Sequence, residues 1–105
     1  MSYEITPQEV QHRQESKEKF TLLDVREPWE REKASLGGEH IPMSEIPTRM
    51  QELDPDGEIV VYCHHGVRSL SVADWLYKQG FAYVRSLAGG IDRWSMQIDP
   101  QVPRY

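Results

Sequence analysis

The segment Glu58-Ile59-Val60-Val61-Tyr62-Cys63-His64-His65-Gly66-Val67-Arg68-Ser69 decides how the chain is read. Glu58 to Tyr62 is the clearest strand in the sequence, a β-branched and aromatic run preceded by the turn signal Asp54-Pro55-Asp56-Gly57. Cys63 ends that strand, and a helix is predicted from about Ser69 to Gln79, with Gly80 at its C′ position. In open α/β sheets ligands gather at the carboxyl ends of strands, so the only thiol of the chain is delivered to that edge. The free N–H groups at the start of the following helix carry partial positive charge, which favours thiolate over thiol and attracts anions.

The neighbouring segments extend this pattern. Tyr3-Glu4-Ile5 reads as a short strand, and Thr6-Pro7-Gln8-Glu9 as a helix start with Thr6 as N-cap, Pro7 in the first turn and Glu9 closing a capping box. That helix is expected to fade in Gln14 to Lys19. Phe20 to Val25 is a continuous apolar run suited to a strand covered on both faces. Short helices are expected over Glu27 to Lys33, with Glu30 and Glu32 exposed, and over Pro47 to Leu53. His40-Ile41-Pro42 reads as extended, Phe81 to Leu87 as holding a last strand, and Ile91 to Trp94 as a short helix. The residues after it, with Pro100 and Pro103, read as irregular. Strands alternating with helices predict an α/β fold with a mainly parallel sheet.

Composition narrows the function. Twelve Lys and Arg against 17 Asp and Glu give a net charge of −5, the wrong sign for nonspecific nucleic-acid binding. The length of 105 residues suits one domain, which typically runs to ~100–150 residues. No apolar run approaches the ~20 residues of a membrane helix. Met1-Ser2-Tyr3-Glu4 lacks the basic and apolar regions of a leader, so a cytoplasmic location is expected, with neither nucleic acid nor membrane as partner. A single cysteine excludes an internal disulfide, and Cys63-His64-His65 has no metal-site spacing, so neither metal nor cofactor is expected.

Within this acidic chain no carboxylate lies between Glu58 and Asp74, whereas His64, His65 and Arg68 do. The window therefore reads as an electropositive island around one thiol. Gly66 lets successive N–H groups turn inward as an anion nest, and Arg68 offers a bidentate clamp for an oxyanion. The plain alternative makes Cys63 a small buried hydrophobe at a strand end. His64 and His65 read equally as charge donors to the site or as solvent-facing loop residues. His40 reads as a structural hydrogen-bonding residue, and Trp29, Trp75 and Trp94 as packing residues. Val72, Ala73 and Leu76 recur at helical spacing and are expected to face the sheet. Arg85 and Arg93 read as surface charges.

Val61-Tyr62-Cys63-His64-His65-Gly66-Val67-Arg68-Ser69 resembles the active-site loop of the rhodanese (sulfurtransferase) domains. Leu22-Leu23-Asp24-Val25-Arg26-Glu27, Glu39-His40-Ile41-Pro42 and Leu87-Ala88-Gly89-Gly90-Ile91-Asp92-Arg93-Trp94 look like further motifs of that family, in the expected order. The resemblance implies a three-layer domain over residues 1–105, its mainly parallel sheet flanked by helices on both faces, with an active-site loop at 63–69. It implies a sulfur atom carried as a persulfide on Cys63, the backbone of His64, His65, Gly66, Val67, Arg68 and Ser69 as cradle, and Asp24 and Arg26 as structural support. The implied partners are a small anionic sulfur donor such as thiosulfate and an acceptor such as cyanide or a thiol. A relay between a protein sulfur donor and a protein acceptor, in cofactor or tRNA thiolation, is the alternative. Met43-Ser44 replaces the frequent Gly-Ala, Ile91 replaces an aromatic, and His64-His65 stands where thiosulfate enzymes carry Arg-Lys. Cysteine-dependent phosphatases and arsenate reductases form a second alternative, but their loop has five residues between Cys and Arg, and here there are four.

Overall fold

Five short strands, all parallel, form one sheet in the computed structural model, which describes residues 3–105. Met1 and Ser2, which open the segment compared with a leader, lie outside the described residues. The elements are β1 (Glu4–Ile5), α1 (Pro7–Glu15), β2 (Thr21–Asp24), α2 (Pro28–Lys33), β3 (Glu39–His40), α3 (Ile46–Arg49), β4 (Ile59–Tyr62), α4 (Val67–Lys78), β5 (Val84–Leu87) and α5 (Gly90–Gln97). The strand order is β1-β5-β4-β2-β3. The chain leaves β4 toward β5 and leaves β2 toward β3. The two connections diverge, and such a switch point opens a crevice at the carboxyl ends of β2 and β4. No helix among the described residues is long and apolar enough to cross a membrane.

Alternation along the central strand sorts the core into two layers. Ile59, Val61 and Cys63 join Leu23, Val25, Val72, Ala73, Leu76 and Val84 beneath α3 and α4. Val60 and Tyr62 join Ile5, Val10, Leu87, Ile91 and Trp94 beneath α1 and α5. All four residues of β4 are buried, as a strand covered on both faces requires. Cys63, one residue past the strand, keeps its parity and is carried to the α4 side.

Local signals in the sequence account for most boundaries. Thr6 Oγ1 accepts the Glu9 N–H at 3.1 Å while the Glu9 carboxylate accepts the Thr6 N–H at 3.4 Å, the reciprocal capping box. Helix α4 begins at Val67, two residues before the predicted start, because Gly66 at φ +95° ends the loop and serves as N-cap. Strand β5 begins only at Val84, because Phe81 is buried against α4 and its N–H bonds to the Leu76 carbonyl. The helix predicted over Pro47 to Leu53 is α3 flanked by 3₁₀ turns at Met43–Glu45 and Met50–Glu52. Helix α5 outruns its predicted span by three residues, to Gln97. Two expectations are corrected. Glu30 is buried rather than exposed, because a charged partner reaches it from α4, and Trp29 is 56% exposed rather than packed in the core.

Gly90 lies where the first turn of α5 passes close to the loop after β4. Gly90 has φ +64°, and a Cβ there would land on the carbonyl oxygens of Cys63 and His64. Gly37 has a similar φ of +82° with nothing within 4 Å of the same position. Gly37→Ala is therefore expected to cost only the left-handed backbone penalty, about 1 kcal/mol. Gly90→Ala adds displacement of α5 and is expected to cost at least about 2 kcal/mol more. Urea unfolding of the two variants checks this, and equal losses would show that the close approach carries no weight.

Candidate active site

The loop after β4 wraps its backbone around a sulfur atom. Cys63 is 1% exposed, and its Sγ accepts the N–H of Gly66 at 3.1 Å and of Ser69 at 3.3 Å. The carbonyls point the other way, with Cys63 O accepting the Ile91 N–H at 2.9 Å and His64 O the Asp92 N–H at 3.1 Å. The first turn of α5 thus takes up two of the loop's acceptors, while the N–H groups of the later residues Gly66 and Ser69 go to the sulfur. This is the nest geometry that holds an anion, set at the N-terminus of α4.

Behind the sulfur lies a pair of hydroxyls. Ser69 Oγ is 3.3 Å from Sγ and 2.6 Å from Ser86 Oγ, and both serines are fully buried. As a thiol, Cys63 donates to Ser69, which donates to Ser86. As a thiolate, it accepts from Ser69, which accepts from Ser86. Rotating two hydroxyl protons satisfies either state, so no buried group loses its partner when the sulfur changes charge. Ser86 was not among the predicted site residues. Its signal is positional, since it shares the parity of the buried Val84 on β5 and that face meets α4.

The predicted electropositive island is filled in space by carboxylates distant in sequence. Arg68 donates from both terminal nitrogens to Glu30, at 2.6 and 2.8 Å. Glu30 also accepts the Glu27 N–H at 3.1 Å and the Tyr105 hydroxyl at 2.7 Å, so both of its oxygens are doubly engaged. The Arg68 fork, predicted to clamp an oxyanion, is occupied by this side chain. Arg68 holds the Glu30 carboxyl at a pKa of about 2, against the opposing effect of burial, and Glu30 raises that of Arg68. Asp92 lies 3.9 Å from His65 Nδ1 and accepts from Arg104 at 2.9 Å, and that partner lowers its pKa.

The remaining predicted residues occupy distinct places. Asp24 and Arg26 are fully buried and joined by two side-chain bonds, Nε at 2.9 Å and Nη2 at 2.8 Å. Burial raises the Asp24 pKa, but the Arg26 bonds overcome it and hold the group low. Arg26 also donates to the Ala34 carbonyl at 2.7 Å and to Tyr105 Oη at 2.9 Å, which ties β2 to the segments after α2 and α5. His40 Nε2 lies 2.7 Å from the Arg26 carbonyl, the structural bond expected of it. Val67 is 77% exposed, and the N–H groups bonded to Sγ are those of Gly66 and Ser69. His64 stacks between His65 and Tyr105, with centroids 3.9 Å away on each side. Its Nε2 is buried without a hydrogen-bond partner, and burial followed by the charge of His65 lowers its pKa. Tyr105 reaches the site from the segment read as irregular. Proline-rich sequence gives no periodic signal for such a contact.

Comparison with known proteins agrees with this geometry. The rhodanese-like domain family matches residues 6–97. A putative sulfur carrier protein of Bacillus subtilis is 39% identical over 93 residues, 88% of this chain and 50% of that protein. A sulfurtransferase of Allochromatium vinosum is 34% identical over 96 residues, 90% of each chain. This chain spans half or less of the length of two of the relatives it matches. The crystal structure of a rhodanese-related protein from Thermoplasma volcanium superposes with a TM-score of 0.80 at 30% identity, covering 95% of this chain and 94% of that one.

The Glu30 pairing sets a pH dependence. The folded pKa of about 2 lies below the ordinary 4.5, so the stabilisation is complete above pH 4.5 and lost as pH falls toward 2. At about 1.4 kcal/mol per unit the loss is at most about 3 kcal/mol, reduced by the water that reaches Arg68. Urea unfolding at pH 6 and pH 3 is expected to show a shallower loss in Glu30→Gln than in the wild type. Equal losses would remove Glu30 as the cause.

Proposed function

The chain belongs to the rhodanese-like domain family, and on that premise we propose that it is a sulfurtransferase carrying sulfur as a persulfide on Cys63. The observation that supports this most directly is the buried Sγ receiving two backbone N–H groups at the start of α4. The thiolate attacks the outer sulfur of a donor such as thiosulfate. A new S–S bond forms to Cys63, the donor's S–S bond breaks, and its electron pair leaves with sulfite. The product, Cys63–S–S⁻, is an anion at the mouth of a nest of N–H donors, which cost no reorganisation when the charge arrives. Cyanide or a thiol then takes the outer sulfur and returns the thiolate, a ping-pong covalent cycle. No general base is needed once the thiol is ionised.

The Arg68–Glu30 pair favours a second reading within the same chemistry. A small dianionic donor gains most from a free guanidinium, and here the fork is held by a buried carboxylate. A persulfide presented by a protein needs no such clamp, so a relay from protein to protein fits this site better than rapid thiosulfate turnover. The same occupancy, with the four-residue spacing from Cys63 to Arg68, weighs against phosphate or arsenate as substrate.

Intact-protein mass spectrometry tests the core of the proposal. After incubation with thiosulfate or a protein persulfide, the wild type is expected to gain one sulfur that cyanide removes, and Cys63→Ser none. No gain from either donor would overturn the sulfur-transfer reading. Glu30→Gln, which removes the charge competing for Arg68, is expected to lower the thiosulfate KM at least threefold in the thiosulfate–cyanide assay. An unchanged KM would show that Arg68 does not limit donor binding.

A further inference from the structure

The matched family region ends at residue 97, yet a side chain beyond it completes the surroundings of the loop. The Tyr105 ring lies 3.9 Å from the His64 imidazole at an interplanar angle of 13°, a parallel stack, and meets Trp29 edge-on at 6.2 Å. Its hydroxyl accepts from Arg26 Nη1 at 2.9 Å and donates to Glu30 at 2.7 Å. Burial pushes that phenol up to about 12, so it stays protonated and keeps its donor at neutral pH. One side chain therefore spans a fixed support, the buried Asp24–Arg26 pair, and a residue covalently next to Cys63.

We propose that Tyr105 is a positioning residue of the sulfur-transfer loop, its ring clamping His64 and thereby the peptide that joins Cys63 to the Gly66 turn. The role rests on the sulfur-transfer reading above. Loop residues 64 and 65 are tied to α5 by one backbone bond, from the Asp92 N–H to His64 O, and by the 3.9 Å approach of His65 Nδ1 to Asp92, and their rings form a stack whose outer member, His65, is 62% exposed. Tyr105 closes the inner side of that stack. A loop so clamped keeps the Gly66 N–H on the sulfur through both half-reactions, and preorganisation of this kind raises kcat rather than donor affinity.

Tyr105→Phe and Tyr105→Leu separate the ring from the hydroxyl, because both lose the bonds to Arg26 and Glu30 and only the second loses the stack. Two measurements are made on each variant well below its unfolding temperature: kcat and KM for sulfur transfer from the donor that loads the wild type, and titration of the His64 imidazole by NMR. The groups facing that imidazole are His65, Asp92, Glu30, Arg68 and Tyr105. Tyr105→Leu is expected to lower kcat at least fivefold with KM within twofold. It is also expected to raise the His64 pKa toward its ordinary 6.5, as water reaches Nε2. Tyr105→Phe, which keeps the ring but loses its anchor, is expected to lie between the wild type and Tyr105→Leu in both. A Tyr105→Leu protein with unchanged kcat or unchanged His64 titration overturns the proposal, and so does a Tyr105→Phe protein as impaired as Tyr105→Leu. Failure of the wild type to load sulfur from any donor overturns the sulfur-transfer reading itself, even if the titration responds.

Discussion

Two hydrogen bonds organise this protein: those from the Ile91 and Asp92 amides at the start of α5 to the carbonyls of Cys63 and His64. By holding these two carbonyls, α5 fixes the peptides that lead from Cys63 toward the turn at Gly66, and the Gly66 and Ser69 N–H groups beyond that turn reach the sulfur. The contact is close enough that both chains need glycine, Gly90 on one side and Gly66 on the other. The order of the sheet follows the same demand. Strand β5 lies beside β4, and the helix after β5 therefore starts beside the loop after β4.

Around this backbone arrangement the charged side chains balance one another. Asp24 with Arg26 and Glu30 with Arg68 are carboxylate–guanidinium pairs with two side-chain bonds each, linked through the Tyr105 hydroxyl. In the Asp24–Arg26 pair, where both side chains are fully buried, removing one partner leaves an uncompensated charge at a cost of roughly 3–5 kcal/mol. The arrangement leaves the sulfur to two peptide N–H groups and the Ser69 hydroxyl, which carry no charge to be titrated away at neutral pH.

The parts legible in the sequence were those written in local patterns. The capping box at Thr6, the strand run at Ile59–Tyr62 and the spacing of Val72, Ala73 and Leu76 each place an element without knowledge of the rest. Cys63 at a strand end and Gly66 at a turn marked the loop for the same reason. Glu30 was invisible, because its partner lies 38 residues away and an acidic residue in a short charged helix reads as solvated surface. Ser86 and Tyr105 were missed similarly, since each acts by arriving beside a residue on another element. For Arg68 the sequence predicts an anion in its fork, and the structure places the Glu30 carboxylate there. Charge counting along the chain cannot see a carboxylate folded in from α2.

The dependence of the loop on α5 also bears on the order in which the protein is made. Translation delivers Cys63 well before Gly90 and Ile91, so a growing chain holds its thiol without the contacts that orient the loop. During that interval the cysteine is an ordinary side chain at the end of an unfinished sheet. The surroundings of the sulfur come into being only once residues 90–92 have been made, and a polypeptide interrupted before residue 90 would carry the thiol without the contacts that hold its loop.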